Sequence, residues 1–238
     1  MENIMNPKQM VTCIQDVLEI KLPVEMSKLK TNNSRGQLAW DLLNTEITEQ
    51  SSKLNLKPAI IKRTPWELLI LFQEENGILT TLIRTARLKS ALNEIRKGSA
   101  HYIGCLVRSF NHNIQVQQLT FIEPDNRFAD GKCTEQILSA LGVDEDKITK
   151  YIIISFDQRD GKLISVNQLT LNKALEVTET ENLSKYISVQ ESVIADDITD
   201  FSDAANNPQR GLQLTPKATS RQDKNTGLTM KDNQADAQ

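Results

Sequence analysis

Residues 66–84 read WELLILFQEENGILTTLIR. Leu68 to Phe72 is apolar at every position, and beyond QEENG the chain resumes with Ile78, Leu79, Leu82 and Ile83 around the β-branched pair Thr80 and Thr81. Asn76-Gly77, closing the polar stretch, tolerates the positive φ that a tight reversal needs, so the stretch predicts a β-hairpin. A strand apolar on both faces has no side to give to water. It belongs in a sheet covered by a layer on each face, and the rest of the chain is organised around it.

The pattern returns at Tyr151 as YIIISF, then DQRDG, then KLISVNQLTL. Phe72 and Phe156 hold equivalent places before a polar turn, and Leu79 and Leu163 hold equivalent places after it. These are two copies of one unit or, on the plainer reading, two central hairpins of one sheet. Either way the sequence predicts an α/β protein of the α+β type, with a mostly antiparallel sheet built from two central hairpins and helices packed on it. Consecutive hairpins argue against a doubly wound parallel sheet.

Outward from the hairpins, the elements follow from caps and periods. Asn6-Pro7 opens a helix with Met10, Ile14, Val17 and Leu18 on one face, and Pro23 is expected to end it. Ser34 and Gln37 have capping-box spacing before a second helix through Trp40, Leu43 and Ile47. Ala59 to Ile61 reads as a short edge strand. Leu88, Ala91, Leu92 and Ile95 lie at i, i+3, i+4 and i+7, and Gly98 suits a helix C-terminus; Ser99 is expected to cap a further helix with Ile103, Leu106 and Phe110 inward. Gln115 to Phe121 alternates as a strand would, Glu123 to Lys132 reads as a surface loop, and Thr134 is expected to cap a short helix ending at Gly142. A terminal helical turn is expected within Asn182 to Tyr186.

Composition sets the limits. The chain of 238 residues is 39% hydrophobic and 25% charged, ordinary for a water-exposed domain with one substantial core. Polar residues dominate from about Ala195, so the expected organisation is a folded domain, 1–194, and a disordered tail, 195–238. A net charge of −3 does not advertise a nucleic-acid binder. Three cysteines without a CxxC pair and only two histidines permit no zinc cage of standard spacing. No secretory leader and no apolar run of membrane-spanning length is visible, which predicts a cytoplasmic protein without membrane contact.

No phosphate-binding glycine loop, HExxH or GxSxG motif is present. Four weaker constellations remain. Lys62, Arg63, Arg84, Arg87, Lys89, Arg96, Lys97 and Arg108 cluster around the first hairpin and could meet a nucleic acid, with Arg84, Arg87, Lys89, Arg96 and Lys97 as the candidates. A solvated helix face carries the same residues. Glu67, Glu74, Asp157 and Asp160 would serve a metal-dependent nuclease if the two hairpin turns came together, although carboxylates beside turns are common for backbone reasons. His101 and Cys105 stand at i, i+4, where core packing of the thiol and capping by the histidine is the plainer role. Trp40 reads as a packing residue and Asp41 as a solvated one.

Taken in order, AWDLLN, WELLILF with ILTTLIR, HYIGCLVRSFN, KYIIISFD and LSKYISVQESV resemble a family of Gram-positive bacteria and their mobile elements, identified as domain of unknown function 5986. The likeness spans about Ser34 to Val193 and leaves the tail outside. Its motifs are ordinary core patterns, and it supplies no catalytic residues. What the resemblance implies is a bacterial, plasmid or prophage setting, where small cytoplasmic proteins act in toxin–antitoxin pairs, phage defence or regulation. The expected function is therefore a non-catalytic interaction or regulatory protein, antitoxin-like, with a protein partner and no cofactor. A metal-dependent nuclease and a direct nucleic-acid binder are the alternatives.

Overall fold

A computed structural model of the chain describes residues 5–63, 66–115 and 131–188. Within them run α1 (Pro7–Asp16), a π-helical turn (Val17–Lys21), α2 (Leu22–Ser27), α3 (Arg35–Glu49), α4 (Ser51–Leu54), β1 (Lys57–Arg63), β2 (Trp66–Gln73), β3 (Ile78–Arg84), α5 (Thr85–Arg96), α6 (Tyr102–Phe110), α7 (Gly131–Leu141), β4 (Lys150–Arg159), β5 (Lys162–Leu171) and β6 (Val177–Asn182). The six strands lie in one sheet in chain order, antiparallel except that β3 and β4 run parallel. This is an α+β fold with a mostly antiparallel sheet. The chain divides into Met1–Glu191 and Ser192–Gln238, and every described residue lies in the first unit. The strand expected beyond Gln115, most of the loop after it and the tail fall outside the described residues.

The N-terminal helices show where local signals hold and where they yield. Asn6 caps α1, its Oδ1 accepting from the Gln9 N–H at 3.1 Å, with Pro7 in the first turn where no N–H is missed. Pro23 does not end the helix. The chain widens into the π-helical turn, where Leu22 N–H donates to Val17 O, and continues as α2 with Pro23 in its first turn. A proline in a regular α-helix lacks one bond and presses on the carbonyl four residues back; the wider turn just before it makes room for the ring. Ser34 is not a side-chain cap, because its backbone is already helical (φ −85, ψ −2) and its hydroxyl makes no capping bond.

Alternation along the strands assigns the faces. Leu69, Leu71, Leu82, Ile154, Phe156, Leu163 and Val166 pack with Met10, Ile14, Leu18, Leu43 and Ile47 of α1, the π-helical turn and α3. Ile70, Phe72, Leu79, Ile83, Tyr151 and Ile153 point the other way, against Leu88, Ile95, Leu106, Phe110 and Ile137 of α5, α6 and α7. The sheet thus has a helical layer on each face, as the apolar run in β2 required. Each fully buried large side chain contributes about 1.5–3 kcal/mol. Phe72 and Phe156, equivalent in sequence, face opposite layers, as do Leu79 and Leu163. β2 and β4 also run in opposite directions, so no shift along the sheet carries one hairpin onto the other.

The second hairpin turns on Asp160 and Gly161 alone, both at positive φ (51° and 82°), the arrangement whose twist matches the flanking strands. Space around Gly161 is open, the nearest atom to an added Cβ being Arg35 Nη2 at 4.0 Å. Gly161→Ala is therefore expected to cost only the backbone term of about 1 kcal/mol, seen as a fall of a few degrees in the thermal midpoint. A loss above about 3 kcal/mol would mean that the turn does more than reverse the chain.

Two expected caps are also reassigned. His101, not Ser99, caps α6, its Nδ1 accepting from the Ile103 N–H at 3.2 Å. Thr134 lies inside α7 and is buried, with Oγ1 3.0 Å from Ser109 Oγ and 3.5 Å from Cys105 Sγ. A hydroxyl turned inward between two helices holds them together and leaves the helix start to other residues.

Candidate binding cleft

β1 pairs β2 from Lys57↔Phe72 to Arg63↔Trp66, and β3 pairs β4 along its full length from Ile78↔Lys150 to Arg84↔Phe156. Between them the ladder is incomplete. β2 and β3 pair only at Gln73↔Ile78, Phe72↔Leu79 and Leu71↔Thr80, although β2 runs back to Trp66 and β3 on to Arg84. The two strands stay joined at their turn and part toward the far end. Backbone groups there that point along the sheet toward the missing partner have no ladder to join.

The gap opens into a cleft of about 1000 Å3. Glu67, Leu68 and Leu69 of β2 and Leu82 and Ile83 of β3 line it, with Gln37, Trp40, Asp41 and Asn44 of α3 on one side and Arg87, Ala100, His101 and Tyr102, from α5 and the start of α6, on the other. Both helical layers contribute, so the cleft sits where the sheet itself gives way. It lies at the carboxyl end of β3 and the amino end of β2, beside the parallel β3–β4 pair. The lining combines apolar strand side chains with a few polar groups, the usual composition of a binding site.

The polar groups differ in how they are engaged. Arg87 donates from Nη1 to Glu94 Oε1 at 2.8 Å and from Nη2 to Glu94 Oε2 at 3.3 Å. That contact raises the guanidinium's pKa and lowers that of the Glu94 carboxyl. Asp41 and Glu67 are exposed and have no ion-pair partner among the described residues; Lys62 stands opposite Glu67 in the β1–β2 register without pairing with it. Trp40 is half-buried and meets Phe156 edge-on, ring centroids 5.8 Å apart. His101 stacks on Tyr102 at 4.6 Å.

The four carboxylates considered for a metal are not brought together. Glu67 lies on the α3 side of the sheet at the cleft, whereas Glu74 lies in the β2–β3 turn at the other end, 3.4 Å from Lys57 Nζ. Asp157 follows Phe156 on β4 and so turns to the opposite face, and Asp160 is in the β4–β5 turn. Among the described residues, no group of three His, Cys, Asp or Glu side chains could hold a metal ion.

The five basic candidates do not converge either. Arg87 reaches the cleft and Glu94, while Arg96 donates from Nη2 to the Leu175 carbonyl at 3.1 Å, tying α5 to the loop after β5. Lys89 and Lys97 are exposed on the remaining arc of α5, and Arg84 ends β3 with its Nε buried and unbonded. At 100° per residue, Arg87, Lys89, Arg96 and Lys97 are spread over roughly 180° of helix surface. His101 Nδ1 serves as the cap acceptor of α6, and Cys105 is buried with its Sγ 3.5 Å from Thr134 Oγ1.

Trp40, Asp41 and His101 were visible in the sequence as separate small constellations, and Glu67 as a metal candidate. Their meeting was not, because it depends on β2 and β3 parting. Cys13, in α1, is remote from this chemistry: burial pushes its thiol up to about 11 against the weak Gln9 contact. Only about one thiol in a thousand is then ionised at pH 8, so a thiol reagent at that pH is expected to label half-buried Cys133 well before Cys13. Early labelling of Cys13 would show that α1 opens.

The molecule is thus of a definite class, an α+β sheet protein covered by helices on both faces and split at one strand pair to form a cleft. The chain belongs to the Family of unknown function (DUF5986), whose match covers residues 3–231. That span is wider than the likeness read from the motifs, taking in α1 and most of the chain beyond Val193. No curated protein and no solved structure matches the chain. Among the described residues, no helix is long and apolar enough to cross a membrane.

Proposed function

We propose that this is a non-catalytic interaction protein of the cytoplasm, holding a protein partner in the cleft between β2 and β3 in a regulatory, antitoxin-like role. The bacterial mobile-element or phage-defence setting is the one the family resemblance implied. The observation that supports the reading is the incomplete β2–β3 ladder. Two strands that part before their ends leave hydrogen-bonding edges and apolar side chains beside one another, a surface suited to a partner's extended segment. Apolar strand side chains with a few polar groups of varied engagement favour recognition.

The test is affinity purification of the tagged full chain from its own host, with and without nuclease treatment, beside the variant Ala100→Trp. Ala100 is exposed at the cleft, so a large ring there obstructs it without disturbing the core. A stoichiometric protein recovered with the wild type after nuclease, and lost with the variant, is the expected result. Recovery that ignores the substitution, or recovery of nucleic acid alone, would overturn the reading.

A further inference from the structure

The chemistry of the cleft wall specifies more than its position. We infer that the cleft receives an arginine side chain presented on an extended segment of the partner protein, an assignment that rests on the reading above. Asp41 and Glu67 face it from α3 and β2, and neither has an ion-pair partner among the described residues. Among the described residues that line it, the lysine or arginine is Arg87, already bonded through both terminal nitrogens to Glu94. Among the described residues the wall therefore carries two carboxylates outside any ion pair beside a neutralised pair, and complementarity calls for a cation.

The aromatic residues narrow the choice of cation. Trp40 stands next to Asp41 on α3 and lines the same cleft, held edge-on by Phe156, and no acceptor for its indole N–H is found among the described residues. Tyr102, stacked on His101, lines the other side. A planar guanidinium can lie on an aromatic face and donate in its own plane to carboxylates, whereas a compact ammonium can do only one of these well. The apolar Leu69 and Leu82, on the same side of the sheet as Trp40, suit the methylene stem of the same side chain. A cleft of about 1000 Å3 exceeds one side chain, and the unpaired strand edges account for the remainder by accepting the backbone on either side of it.

The probe is a set of fluorescein-labelled nonapeptides of alternating threonine and valine, identical except for arginine, lysine or citrulline at the centre, read by anisotropy against the full chain. The arginine peptide is expected to bind most tightly, with citrulline, which keeps the shape without the charge, at least about tenfold weaker. Asp41→Asn and Glu67→Gln are each expected to weaken the arginine peptide about tenfold while leaving the citrulline peptide unchanged. Both residues are exposed, so unfolding midpoints equal to that of the wild type will confirm that the variants fold. Equal binding of the arginine and citrulline peptides would overturn the assignment. So would agmatine, a free guanidinium, competing with an affinity equal to the peptide's, since the main chain would then contribute nothing. If the peptides show no preference while partner recovery still depends on Ala100, the arginine assignment alone fails. If partner recovery is also indifferent to Ala100→Trp, the underlying reading fails with it.

Discussion

Asn111→Ala is expected to destabilise the protein by about 3–5 kcal/mol. Asn111 is buried just past the end of α6, and its side chain stands in for a missing stretch of β-ladder. Its Oδ1 accepts from the Tyr151 N–H at 2.7 Å, and its Nδ2 donates to Tyr151 O and Leu171 O, each at 2.8 Å. The β4–β5 pairing begins at Ile152↔Thr170, so Tyr151 and Leu171 are the residues where it has opened. Truncation strands one N–H and two carbonyls in a buried place, at about 1–3 kcal/mol each before water enters to relieve some of them. Asparagine alone matches this demand, since aspartate would bring a buried charge and lose both donated bonds. Urea unfolding should show a large drop in midpoint with an unchanged slope. A shift worth under 1 kcal/mol would mean that water replaces the amide fully.

Gly77→Ala is expected to cost about 2–4 kcal/mol, well above the same change at Gly161. Both glycines have positive φ, +69° and +82°, so the backbone term is common to them. The surroundings differ. A Cβ on Gly77 would fall inside the van der Waals surface of the Lys147 carbonyl oxygen, with Thr149 Cγ2 at 3.0 Å and Thr149 N at 3.1 Å. Two of the three are backbone atoms that cannot rotate aside. The contact is also fastened, since Thr149 N–H donates to Gly77 O at 2.8 Å and Thr149 Oγ1 to Asn76 O at 2.7 Å. Making room breaks these bonds and loosens the entry of β4 beside β3, where the parallel pairing begins at Ile78↔Lys150. Comparing the two variants in the same urea titration isolates the clash. Equal losses would show that the Lys147 to Thr149 segment yields freely.

These two sites show why part of the fold was legible in the sequence. Asn76-Gly77 and Asp160-Gly161 announce reversals through backbone chemistry, which acts over four residues and needs no tertiary context. The apolar run Leu68 to Phe72 likewise demanded a covered sheet, and both helical layers are there. The parallel β3–β4 pairing was not legible, because it joins strands separated by α5, α6 and α7 and leaves no local mark. β6 was missed because a polar edge strand, exposed at nearly every residue, has no apolar alternation to display. Pro23 misled because the π-helical turn that accommodates it is set by packing of Val17 and Leu18 in the core, not by the proline's neighbours.

The candidate site is a sharper case of the same limit. Trp40 does pack on Phe156 and Asp41 is solvated, as their residue types suggested. What makes them a site is the third neighbour, Glu67, and the parting of β2 from β3. An unbroken apolar strand reads as one fully paired on both edges, and nothing in WELLILF marks the point where pairing stops. The contrast with the β4–β5 opening is instructive. There the gap is plugged by the Asn111 amide, whereas β2 and β3 pair only from Gln73↔Ile78 to Leu71↔Thr80 and part beyond.

Residue-resolved amide hydrogen exchange over β2 and β3 addresses that gap most directly. In the free protein the amides of Glu67–Leu69 and Leu82–Arg84 that point toward the gap should exchange at least about tenfold faster than their strand neighbours paired to β1 and β4. The arginine nonapeptide should then slow those same amides selectively. Uniform protection along both strands, from the turn to Trp66 and Arg84, would mean that β2 and β3 are zipped in solution and that the cleft does not exist.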